Sequence, residues 1–405
     1  MCSENVMSPT AREALASDFQ HRYANSHGDG TFIGNKYIEE VDALANELAK
    51  ELFGAEYVEL HASSASLACK LPVVALTQNG DLVLELESKC GGFSSLTQLQ
   101  LTPTLAPALR AEGLPFNFEE MNIDGDAAVK QIRNKSPKVV VLGATVFLFP
   151  HPVSQIVNAA KEAGCVVVYD GAQVFGLVAG KRFQQPFQEG AEIITGSTHK
   201  TLPGPQGGIV LLKHKGEMAD KITKTLHGSL TGAGHPNLRA AQAVLFAEMI
   251  EFGRKYADEI IRTSKALAQA LHERGFDVIC EKKGFTESHM VVVNVAKMGG
   301  SHKVGEVLDK ANITATKSGI PGIDKLDSLY SGPISGIRLG TEEAVRLGMG
   351  TSEMTEAADF LTRALIKHED PSKVARDIAN FRRNYQRIHY CFDEGAEAYK
   401  HCIAR

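Results

Sequence analysis

The sequence predicts an α/β fold: a mostly parallel sheet covered by helices on both faces, followed by a smaller α+β domain. Three observations carry this reading. Short β-branched runs recur from about residue 56, amphipathic helical stretches lie between several of them, and one long helical stretch precedes two further runs. Strands that are apolar on both sides, alternating with helices, belong to parallel sheets buried on both faces.

The runs, in order, are YVEL, DLVLEL, KVVVLGA, CVVVYDG, EIITGS and GIVLLK. Between the third and fourth, VSQIVNAAKEAG has helical periodicity, and Gly164 is placed to end it. From Leu238 to Arg274 a long helix is predicted, with Phe246, Met249, Ile250, Phe252 and Tyr256 among its periodic apolar positions. DVICE, MVVVNVA and a helix around Lys303 to Lys310 then predict the small domain. After Lys367 the charged, aromatic stretch DIANFRRNYQRIHYCF reads as a helical appendage. The organisation expected is an N-terminal segment over 1–30, a large domain over 31–237, an interdomain helix and small domain over 238–366, and a helical tail over 367–405.

Composition narrows the function classes. Over 405 residues, 43% are apolar and 22% charged, ordinary values for a globular protein, and the net charge of -5 argues against binding nucleic acid or anionic membrane. The seven cysteines show neither a disulfide framework nor zinc-ligand spacing, so a reducing compartment and no metal are expected. No basic stretch followed by an apolar one opens the chain, and the apolar run from Val139 to Pro150 is too short to span a bilayer. A cytoplasmic protein acting on a small molecule is the expectation.

Three motifs at strand ends carry chemistry. In GSTHKTLPGPQGG, Gly196 to Gly208, Lys200 follows a strand, with hydroxyls and His199 beside it and a glycine- and proline-fixed loop after it. A lysine so constrained can form a Schiff base; alone, it is more often a surface lysine. In VVYDGAQVFG, Asp170 ends an apolar strand 30 positions before Lys200. A buried carboxylate needs a charged partner, and a protonated pyridine nitrogen is one; the plainer reading is a helix-capping Asp. In HASSASLACK, Ser64, Ser66 and the amides around Ala65 can present donors to a phosphate at a helix N-terminus, although such turns usually just cap.

The segments SENVMSP, RYANSHGDGTFIGN, VYDGAQVFGLVAG, THKTLPGPQGG and GIRLGT together resemble the serine hydroxymethyltransferase family of fold-type I pyridoxal 5'-phosphate enzymes. GHPNLRAAQAVLFAEMIEFGRKYA, GFTESH and EDPSKVARDI, with Gln206 where hydroxymethyltransferases usually have Arg, resemble the L-threonine transaldolase branch. The resemblance implies a fold-type I transferase with a mostly parallel seven-stranded sheet in the large domain. It makes Lys200 the Schiff-base lysine and Asp170 the partner of the pyridine nitrogen. Ser64, Ala65 and Ser66 would hold the phosphate; Ser197, Thr145 and Gln173 would also contact the cofactor, and Phe93 would stack on its ring. Arg338 would grip the substrate carboxylate, helped by Ser3 and Tyr23. Gly232, in TGAG, would reach the phosphate of a partner subunit in a homodimer. His199 and His235 are the candidate bases for a substrate hydroxyl.

The departures set the expected reaction. Asn25 replaces a proton-transferring glutamate, Phe32 and Ile33 replace a tyrosine pair, and Phe93 replaces a histidine. Asn is neither a general acid nor a base, which counts against a role for tetrahydrofolate. The expected activity is cleavage and formation of the Cα–Cβ bond of a β-hydroxy amino acid, with an aldehyde as second partner. The rivals are folate-dependent serine/glycine hydroxymethyl transfer and a weakly catalytic cofactor-binding protein.

Overall fold

The computed structural model describes residues 1–24, 32–93, 108–232, 234–324 and 332–399. Helix α1 (Pro9–Leu15) is capped by the Ser8 hydroxyl, which accepts from the Ala11 N–H. Helix α2 (Lys36–Phe53) buries Ala45, Ala49 and Leu52, one helical face, and ends where Gly54 takes φ +69.

The main sheet contains β1 (Tyr57–Glu59), β2 (Leu82–Glu85), β3 (Arg110–Gly113), β6 (Val139–Gly143), β7 (Val166–Asp170), β8 (Ile193–Ser197) and β9 (Gly208–Leu212); β4 (Phe116–Asn117) and β5 (Asn122–Ile123) form a separate small hairpin. Its order is β1-β9-β8-β7-β6-β2-β3, with β9 antiparallel to both neighbours and the other four pairings parallel. The six apolar runs became six of its strands. The seventh, β3, is the polar edge segment RAEG, with Arg110 exposed, and gives no apolar signal.

Alternate residues serve opposite layers. Val140, Leu142, Val167, Tyr169, Ile194 and Leu211 face one core with α2, α4 (Gly125–Lys135), α5 (Val153–Glu162) and α6 (Phe175–Ala179). Val139, Val141, Val168, Ile193 and Val210 face the other, with α3 (Ala65–Leu76) and α7 (Glu217–Thr225). Each such side chain, fully buried, contributes about 1.5–3 kcal/mol of transfer free energy, which is why these strands are apolar on both sides.

Helix α8 (Pro236–Glu273) is 38 residues and so about 57 Å long. Phe246, Met249 and Tyr256 pack on the large core, and Leu267, Ala268 and Leu271 on the small one. Ile250, counted from sequence with the apolar face, is instead 39% exposed. The small domain is antiparallel, ordered β10 (Asp277–Val278), β11 (Met290–Asn294), β13 (Gly336–Gly340) and β12 (Thr316–Ser318), with α9 (Gly300–Lys310), α10 (Glu342–Arg346) and α11 (Thr351–Leu365).

The tail departs from a helical appendage. Helix α12 (Pro371–Arg382) sets Val374 and Ile378 into the small-domain core, with Phe381 against it. Beyond Arg382 the chain folds back, with Ile388 N–H bonded to Ala396 O at 2.9 Å, and Ile388 and Cys391 pack on Val6 and Leu347. Among the described residues no helix is long and apolar enough to cross a membrane.

Candidate active site

The C-terminal ends of β6, β7 and β8 open into a cavity of about 220 Å³, with the N-terminus of α3 on its rim. Asp170 is the last residue of β7, and Lys200 follows β8 by three positions. Ser64 caps α3, its Oγ accepting from the Leu67 N–H at 3.2 Å, and Ala65 and Ser66 open the first turn. That turn is pressed against β9: a Cβ on Gly208 would lie 2.2 Å from Ser64 O.

The lysine loop is fixed by its own hydroxyls. Thr198 Oγ1 donates to Pro205 O (2.6 Å), and Thr201 Oγ1 donates to Gln173 O (3.1 Å) while accepting from Gly176 N–H (2.9 Å). From the N-terminal segment, Asn5 Nδ2 donates to Lys200 O at 2.7 Å and to the Tyr256 hydroxyl at 2.8 Å. The lysine therefore enters the cavity from a backbone held on three sides.

Burial pushes the Lys200 ammonium below its ordinary range; Arg338 acts in the same direction and Asp170 against it. Burial raises the Asp170 carboxyl, while the Ala172 N–H, 3.0 Å from Oδ1, the Cys69 thiol and Lys200 pull it back. His199, with Nδ1 2.8 Å from Ser197 Oγ, is lowered to about 4 by burial and then by Lys200, so its ring is neutral at pH 7. Gln173, 8% exposed, keeps Oε1 without a hydrogen-bond partner among the described groups. These residues fit pyridoxal phosphate: an amine, a buried carboxylate for a ring N–H, an acceptor awaiting a donor, a serine-rich helix start and an aromatic face.

Of the residues singled out from sequence, Ser64, Ala65, Ser66, Phe93, Thr145, Asp170, Gln173, His199 and Lys200 line this one cavity. Ser197 is buried and joins it through His199. Arg338, 3% exposed on β13, reaches across from the small domain, Nη1 donating to Thr145 O at 2.5 Å. Four others are not brought to the lining. Ser3 is half-buried in the turn just before Asn5, and Tyr23 is 64% exposed with its ring 5.1 Å from Phe32. Gly232 and His235 are exposed, just before α8. Asn25 lies outside the described residues. Sequence reading did not single out Asn5 or Cys69. Asn5 sat within a matched motif, but nothing local marks Cys69 as facing Asp170.

A strand-end lysine and carboxylate around a serine-capped helix start, on this sheet, define a fold-type I pyridoxal-phosphate-dependent enzyme. The family model described as serine hydroxymethyltransferase matches residues 1–361, and the chain belongs to that family. It is 44% identical over 404 residues to a serine hydroxymethyltransferase of Methanopyrus kandleri (99% of this chain, 92% of the relative). It is also 44% identical over 400 residues to one of Methanocaldococcus jannaschii (98% and 92%). Among solved structures, the L-threonine transaldolase of Pseudomonas fluorescens superposes with TM-score 0.87 at 26% identity, over 97% of this chain and 89% of that one.

Proposed function

We propose that this enzyme cleaves and forms the Cα–Cβ bond of threonine-like β-hydroxy amino acids, passing the glycyl unit between aldehydes without tetrahydrofolate. The observation that carries the reading is His199: a neutral imidazole in the cavity beside Lys200, at a site where Phe93 and Gln173 cannot exchange protons.

Bound pyridoxal phosphate supplies an electron sink for charge developing at Cα. Burial favours the neutral amine of Lys200, the nucleophilic form. Asp170, buried at the end of β7, would hold a proton on the ring nitrogen of the bound cofactor. Arg338 fixes the substrate carboxylate through a paired hydrogen bond, with Ser3 and Tyr23 closing over it. With the carboxylate fixed, the Cα–Cβ bond is the one left to align with the electron sink, and His199 takes the proton of the β-hydroxyl. Gly232 and His235, exposed in one chain, complete the site of a partner in a homodimer, which light scattering would test: an active monomer refutes it.

The test of the activity is a panel of serine with and without tetrahydrofolate, threonine and allo-threonine, with product analysis. Threonine cleavage is expected to exceed serine turnover. A second reading, hydroxymethyl transfer to a folate, is favoured by the names of the relatives at 44% identity and opposed by Asn25. Serine-to-glycine conversion that strictly requires tetrahydrofolate would establish it.

A further inference from the structure

Just behind the phosphate turn, among the described residues, one group of three metal-ligating side chains converges: Glu59, His61 and His227. Glu59 ends β1, and His61 lies two positions on, so extended backbone points both side chains the same way. His227 comes from the single π-helical turn Leu226–Leu230 that follows α7. One ligand atom of each lies within 4.8 Å of the others. The carboxylate joins the two rings: His61 Nδ1 is 2.8 Å from Glu59 Oε1, and His227 Nε2 is 3.0 Å from Oε2. The rings meet edge to face at 4.9 Å. Glu59 is 0% exposed, His61 6%, and the His227 side chain 13%, so the group is desolvated yet reachable from the His227 side.

We propose that Glu59, His61 and His227 form a divalent transition-metal site, suited to Zn²⁺, that fastens the segment leading into the phosphate turn to the turn Leu226–Leu230. Two imidazole nitrogens and one carboxylate oxygen are a ligand set for Zn²⁺, leaving a fourth position for water. Metal–ligand bonds of about 2.0–2.2 Å set tetrahedral ligand spacings of roughly 3.3 Å. The two rings meet different oxygens of Glu59, at 2.8 and 3.0 Å, and the three ligand atoms lie within 4.8 Å of one another, so side-chain rotation must draw them together around the ion. No proton need be lost from His61. Its N–H moves to Nε2, which faces Asp42 Oδ1 at 3.7 Å; a small approach of that carboxylate would complete the carboxylate–histidine–metal arrangement that orients ligating imidazoles. Two carboxylates, Glu59 and Asp42, face one buried cation, Arg239, whose Nε is 3.4 Å from Asp42 Oδ1; the pair outnumbers it, and the ion must bind against its repulsion.

The position gives the site its role. The turn carrying Ser64 and Ser66 begins two residues after His61, and Gly234 backs onto the same ring: a Cβ there would lie 2.6 Å from His61 Cδ2. A metal here adds coordinate bonds between two segments already joined by hydrogen bonds and a ring contact.

The holoenzyme, stripped with EDTA and freed of chelator, is titrated with Co²⁺ and with Zn²⁺. One metal per chain is expected, with the visible bands of four-coordinate Co²⁺ and a Zn²⁺-dependent rise in Tm. Asp42→Asn is expected to weaken Zn²⁺ binding about 10- to 100-fold. His227→Ala should abolish the Co²⁺ bands, while His302→Ala, on the exposed face of α9, should leave them unchanged. If Glu59→Gln fails to fold, His227→Ala still decides, because that side chain is partly exposed. A six-coordinate Co²⁺ spectrum, or equal Zn²⁺ affinity in wild type and His227→Ala, overturns the proposal.

Discussion

His199→Asn isolates the proposed base. An amide in its place can still bond Ser197 Oγ but cannot take a proton. General bases are typically worth about 10²- to 10⁴-fold in rate. Burial and Lys200 hold the imidazole at about 4, so it is a weak base and the loss should lie near the lower end, about 10²-fold. The same value fixes a pH signature. At about pH 5.5 an ordinary histidine is roughly nine-tenths protonated, whereas His199 is only about 3% protonated. Wild-type kcat/KM for threonine should therefore hold its plateau down to about pH 5, with the acid limb near 4. Stability moves in the same direction: the unfolded chain binds this proton first. The contribution is present above about pH 6.5 and is lost as pH falls through the folded value of about 4. The assay is acetaldehyde release from threonine in quenched samples across pH, with cofactor absorbance confirming saturation and return to neutral pH confirming reversibility. A wild-type acid limb between about pH 6 and 7, or an Asn variant within about threefold of wild type, refutes the assignment.

Three further outcomes are expected. Borohydride should fix the cofactor on Lys200, identified by peptide mass, and Lys200→Ala should lose both the label and the visible band; a labelled Lys200→Ala protein counts against the assignment. Arg338→Lys, which cannot form the paired hydrogen bond, should lower kcat/KM for threonine about 10- to 100-fold, mainly through KM; a change under about threefold removes Arg338 from the carboxylate site. Asn25→Glu should raise folate-dependent serine turnover, and an unchanged rate shows that Asn25 does not block it.

What was legible in the sequence follows from burial. Val139–Gly143 and Val166–Asp170 read as strands because both their faces are covered, leaving no polar alternation to confuse with a loop. Arg110–Gly113 was invisible because an edge strand needs only one buried neighbour and tolerates charge. In the tail, Val374, Ile378 and Phe381 follow helical spacing, but the arginines between and after them read as solvent-facing and hid the small-domain contact. At the site, Asp170 and Lys200 were legible because the first ends an apolar strand and the second follows one by three positions. Contacts across the chain were not: Asn5 meets Lys200 over 195 positions, and Arg338 meets Thr145 over 193, separations no local pattern encodes.

The same distinction explains why the fold identifies the cofactor more firmly than the reaction. On the proposed reading, cofactor binding depends on groups set by strand ends and a helix start, Asp170, Lys200 and Ser64 to Ser66, which line one cavity whatever the substrate. Reaction choice depends on where protons go, and there the chain has been thinned out. At four positions where the family resemblance expects proton-exchanging or phenolic groups around the substrate, it carries Asn25, Phe32, Ile33 and Phe93. On the proposed reading the proton traffic left to the chain's own cavity is concentrated in His199, one base beside one amine. That suffices to take a proton from a β-hydroxyl and return it to an incoming aldehyde, two steps of a single reversible path. It does not suffice for coupling to a second, bulky acceptor that must itself be protonated and deprotonated. Glycyl transfer between aldehydes therefore asks of this cavity only what it contains.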